Sequence, residues 1–172
     1  MFDMKTITPE SISEALEKAE RYRLLGEPDD AESICLDILA VDPDNQQALI
    51  SLVLALTDKF SIGDLSPSYE KARELVEKLE TQRGKTYYLG IIYERRAKHY
   101  LKKGGPGAKE ASYGWFIKAM DAFEKAMTDC DPPNQGAILR WNSCARMLNN
   151  NPDIKADSDK VEMLLDSFDT PH

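Results

Sequence analysis

Residues 12–45 read ISEALEKAERYRLLGEPDDAESICLDILAVDPDN, a 34-residue segment that holds two helices and the break between them. Ala19 and Tyr22 sit on the first helix, Gly26 ends it, Ala31 and Cys35 sit on the second, and Pro43 closes the unit. Small residues at these positions let two antiparallel helices approach closely, and larger ones fill the gap between neighbouring pairs. Proline and glycine punctuate the rest of the chain in the same way, at Gly63 with Pro67, Gly104 to Gly107, Pro132 with Pro133, and Pro152. Between the breaks, apolar residues recur at spacings of three and four. Leu49, Leu52, Val53 and Leu56 make one such face, and Ala119, Phe123, Ala126 and Met127 another. The alternation expected of a strand is missing throughout. Asp29, Asp44 and Ser66 or Ser68 are the expected helix N-caps.

The unit recurs. From Gln46, Leu49, Leu52 and Leu56 lie on a first helix and Ala72 and Val76 on a second, although Val53 stands where a small residue is expected. A third unit carries Leu89-Gly90-x-x-Tyr93 on its first helix and Ala119-x-x-x-Phe123 on its second. The helix from Asn134 to Leu148 has Ile138, Trp141, Ala145 and Leu148 on one face. The segment from Ala156 to Phe168, with Val161, Leu164, Leu165 and Phe168, reads as a cap over the last apolar face.

These in-phase units resemble the tetratricopeptide repeat family. The resemblance implies an all-α, right-handed solenoid of antiparallel helix pairs forming a single domain over residues 1–172. Its units run over about 12–45, 46–82 and 83–133, followed by terminal helices over 134–168. It also implies a concave groove lined by the first helix of each pair. Carried over by phase, that groove contains Leu16, Glu20 and Arg23, then Ile50, Ser51 and Leu54, then Tyr87, Tyr88, Ile91 and Arg95. Leu139, Arg140, Ser143 and Arg146 follow on the fourth first helix. Some relatives clamp a chaperone's terminal carboxylate with Lys, Asn and Arg on these helices. Here Leu16, Glu20 and Tyr88 stand at three of those positions, which disfavours that specialisation.

The third unit is longer than the first. Ala19 precedes Ala31 by twelve positions, whereas Gly90 precedes Ala119 by twenty-nine. The seventeen additional residues keep helical composition on both sides of Gly104-Gly105-Pro106-Gly107, so both helices should lengthen by about eight residues, roughly 12 Å at the helical rise. The resulting hairpin carries Arg95, Arg96, Lys98, Lys102, Lys103 and Lys109 together with Tyr100, Tyr113 and Trp115. Two readings stand for it. Either Ala97, Tyr100 and Leu101 pack against Ser112, Trp115 and Phe116 while the lysines solubilise the tip, or the hairpin is a basic and aromatic contact surface.

Charge sharpens this contrast. The chain carries a net charge of −8, which argues against general nucleic-acid binding. Yet the sign reverses along it. Eleven acidic and three basic residues lie between Glu10 and Asp44, whereas nine basic and two acidic lie between Arg83 and Lys118. Cys35, Cys130 and Cys144 are widely spaced without a metal-ligand pattern and read as buried thiols. No apolar run is long enough to cross a membrane, and Met-Phe-Asp-Met-Lys-Thr has no secretory pattern, so the expectation is a cytoplasmic protein.

No catalytic constellation is visible. His99 lies among lysines and His172 ends the chain, neither near a readable nucleophile motif. Gly-Gly-Pro-Gly-Ala-Lys lacks the spacing, the hydroxyl residue and the preceding strand of a phosphate-binding loop. The expectation is a non-catalytic adaptor or scaffold with no cofactor, binding another protein or peptide, an acidic one being the natural complement. The alternative is a small acidic chaperone for a secreted or unassembled client. Homo-oligomerisation, with a basic third unit meeting the acidic first unit of another copy, is a third expectation.

Overall fold

The computed structural model describes residues 2–61, 65–128 and 134–156. Among these residues the regular structure is entirely helical: α1 (Ile12–Leu24), α2 (Pro28–Val41), α3 (Gln46–Asp58), α4 (Leu65–Val76), α5 (Gln82–Lys103), α6 (Ala108–Thr128) and α7 (Gln135–Asn150). A 3-10 turn precedes α1 and another follows α3. The expected cap over Ala156–Phe168 lies, but for Ala156 itself, outside the described residues, as do Cys130, Pro132 and Pro133.

Local chemistry sets the boundaries. α1 ends in a Schellman turn: Gly26 takes φ 79°, the Glu27 N–H donates to the Tyr22 carbonyl at 2.9 Å, and the Gly26 N–H donates to Arg23 at 3.0 Å. α2 then starts with Pro28 at its first position, where a missing N–H costs nothing. Asp29 is therefore inside the first turn, and the cap position belongs to Glu27, whose side chain makes no capping bond. The cap of α3 is Asn45 rather than Asp44, its Oδ1 accepting from the Ala48 N–H at 2.9 Å. α4 begins at Leu65, so Ser66 and Ser68 lie within its first turns rather than before it. Thr81 caps α5 and Asn134 caps α7 through their side-chain oxygens.

Each helix packs on the next in chain order, and the odd-numbered helices also touch in series, α1 on α3, α3 on α5 and α5 on α7. Two apolar clusters fill the interior. One holds Ala19, Cys35, Leu49, Leu52, Val53, Phe60, Tyr69, Val76 and Ile92 among others. The second, between α5, α6 and α7, holds Ile91, Ala97, Phe116, Ala119, Phe123, Ala137 and Cys144. Gly90 earns its place in the expected motif by proximity: a Cβ there would lie 2.6 Å from Cε1 of the fully buried Phe123.

The lengthened third pair is present. α5 has 22 residues and α6 has 21, against 12 to 14 in α1 to α4. The turn between them places Gly104, Gly105 and Gly107 at positive φ, which side-chain-bearing residues adopt reluctantly. Along the arms Ala97, Ser112 and Phe116 are buried, and the Ser112 hydroxyl donates to the Ala97 carbonyl at 3.0 Å.

Candidate functional site

The odd-numbered helices stand in a row, and their side chains divide into those the core absorbs and those left open. Ile91 is 2% exposed and belongs to the second cluster, so it is a core residue rather than a surface one. Its position follows from Gly90: where α5 comes closest to α6, the neighbouring side chain is swallowed too. Ile50 packs on the first cluster and Leu54 on the second, each keeping part of its surface open. Tyr87 meets Tyr88 edge-on at 5.1 Å and Phe123 at 5.9 Å between centroids. Tyr88 touches both clusters. Burial pushes its phenol above the ordinary range, Tyr87 adds to the effect, and the charge of Arg23 opposes it. Leu16 is partly buried and belongs to neither cluster, and Glu20 is exposed. On α7, Leu139 is 69% exposed, and Ser143 and Arg146 are also open.

Ion pairs tie the row together through two acids that sequence reasoning did not single out. Asp58, at the end of α3, accepts from Arg23 Nε of α1 at 3.0 Å and lies 3.6 Å from Arg95 Nη2 of α5. Glu20 holds the other side of the Arg23 guanidinium at 2.9 Å. Glu94 is buried on α5, where Lys98 and Arg140 of α7 both bind it, the latter at 3.2 Å. A signal for Glu94 existed. It is one of only two acids between Arg83 and Lys118, and it lies four residues after Gly90 and three before Ala97, on the face that packs.

The hairpin divides likewise. The Arg96 guanidinium lies 4.0 Å from the Tyr69 ring centroid and 4.1 Å from that of Trp115, while Trp115 also contacts Tyr93 at 5.5 Å. Arg96 and Trp115 therefore dock α4 against the base of the hairpin rather than project from it. Lys109 bridges to Asp153, and the His99 Nδ1–H donates to the Phe60 carbonyl. Lys102 and Lys103 are exposed without an ion pair among the described residues, and Tyr113 is partly open.

The remaining titratable features belong to packing. Burial, foremost, pushes the Cys35 thiol up to about 11 and that of Cys144 to about 12. Neither is a ready nucleophile. Among the described residues no helix is long and apolar enough to cross a membrane. No family model, curated protein or solved structure matches the chain.

Proposed function

We propose that the chain is a non-catalytic interaction module, a tetratricopeptide-type solenoid whose odd-numbered helices form a groove for a peptide or protein segment. The observation that carries this reading is the serial contact of α1, α3, α5 and α7. These helices offer Leu16, Ile50, Leu54, Tyr87 and Tyr88 as partly open apolar and aromatic surface, then the exposed Leu139 with Arg140 and Arg146 on the same helix. A segment with apolar anchors and an acidic end complements such a wall. An adaptor or scaffold role is the function this supports best.

The test is a pull-down with the full chain as bait against its Leu139→Asp/Arg146→Glu variant. Both positions are exposed on α7, so the variant keeps its fold, which circular dichroism checks. Loss of a captured protein supports the groove. A partner held equally by both baits sinks it and moves binding to the hairpin tip, at Lys102, Lys103 and Tyr113.

A further inference from the structure

Where the lengthened part of α5 passes the end of α3, the two helices enclose a recess of about 100 Å³. One stripe of α5 lines it. Arg95, Lys98, His99 and Lys102 follow at helical spacings of three, one and three, so all four share a face. Opposite stand Asp58 and Phe60. We propose that this recess binds a phosphoryl group.

The charges favour a dianion. Asp58 is already divided between Arg23 and Arg95, and Glu94 between Lys98 and Arg140. Among the described residues Arg23 and Arg95 balance Glu20 and Asp58 in one set of ion pairs, Lys98 and Arg140 exceed Glu94 by one charge in another, and Lys102, without an ion pair, adds a further one. Two positive charges are left over. A carboxylate supplies one negative charge. A phosphate ester supplies about 1.5 to 2 at neutral pH, with three acceptor oxygens for several donors.

The geometry agrees. The Phe60 carbonyl only accepts, so it fixes the Nδ1–H tautomer and the orientation of the His99 ring. The Arg95 Nε–H is buried with no acceptor of its own. A recess of about 100 Å³ has room for the head of an oxyanion. The stripe exists because α5 runs eight residues beyond Arg95 to Lys103, so the recess is a product of the insertion rather than of the repeat.

The phosphoryl group has two sources, free phosphate or a phosphorylated side chain on a segment held in the groove, and only the second rests on the function proposed above. The experiment titrates the full chain with inorganic phosphate, read by amide and His99 ring NMR signals. It then repeats the titration with an acidic phosphoserine peptide and its unphosphorylated twin. The expected result is saturable shifts confined to His99, Phe60 and the α5 stripe, with affinity lowered at least about tenfold by Lys102→Glu. Lys103→Glu makes the same charge change one residue away, off the recess, and should cost no more than about twofold. A phosphopeptide that binds more tightly than phosphate and than its twin assigns the group to a partner, and equal affinity for phosphate alone assigns it to the free ion. Shifts that rise linearly without saturation, or equal losses in the two lysine variants, overturn the proposal. The Leu139→Asp/Arg146→Glu variant should bind phosphate normally, so failure of the groove and failure of the recess are separately visible.

Discussion

Glu94 is the one charged residue buried among the described residues. A carboxylate taken out of water is costly, and its partners return that cost only while both remain. Arg140→Ala leaves the buried carboxylate to Lys98 alone, and Lys98 and Arg140 are both about a third exposed, which softens the loss. The expected destabilisation is about 1–3 kcal/mol, measured by chemical denaturation. Glu94→Met/Arg140→Met removes the charge with its partner and should recover most of that stability. Glu32 makes the complementary prediction in pH. Burial raises its pKa, but hydrogen bonds from Lys59 and Lys71, together with their charges, outweigh it and hold the carboxyl below the ordinary glutamate range. A depressed folded-state pKa contributes stability that is complete above the unfolded value and is lost as pH falls through the folded one. Glu32→Gln should therefore be less stable than the parent near neutral pH, with the gap closing as pH falls below about 4.

At the scale of elements, the most extensive helix contact among the described residues is α5 against α6, and Gly90 lies in it against Phe123. Gly90→Ala would drive a methyl into the fully buried ring of Phe123. Overpacking costs about 1–3 kcal/mol, and the better helix propensity of alanine returns at most about 1. The net loss should lower the melting temperature by about 2–4 °C per kcal/mol, and Phe123→Leu in the same chain should relieve part of it. This contact was readable in the sequence, because a glycine inside an apolar helical pattern has few reasons to be there except close approach. The length of the hairpin was readable as well, from the displacement between Gly90 and Ala119. The helix starts were not. The cap of α2 is Glu27, two residues before the expected Asp29, because proline loses nothing at the first helical position. Nor was the fate of Arg96 and Trp115 readable. Their docking against Tyr69 depends on where α4 lies, and helical periodicity reports which face of a helix is apolar without saying which element covers it. The same ignorance hid the recess, which needs the end of α3 and the extension of α5 to meet.

The whole molecule is built in series, and its two clusters share α5. Serial packing localises damage: among the described residues α7 packs chiefly on α6 and α5, and a helix so placed can open without the rest. α7 belongs only to the second cluster, where Ala137 and Cys144 are its fully buried residues, and Arg140 ties it to α5 through Glu94. Cys35 lies in the first cluster, and both thiols are raised and buried, so the thiolate needed for alkylation is scarce in the folded chain. Alkylation of either cysteine at pH 8 therefore reports opening of its own helix. In the parent chain, peptides holding Cys35 and Cys144 should both be modified slowly by iodoacetamide under native conditions. Arg140→Ala should accelerate modification of Cys144 several-fold and leave Cys35 unchanged, as read by mass spectrometry over a time course. Equal acceleration at both sites would mean that the two clusters unfold as one unit. The destabilised α7 would then be inseparable from α1 and α2, and the repeat-like independence of the pairs would be lost.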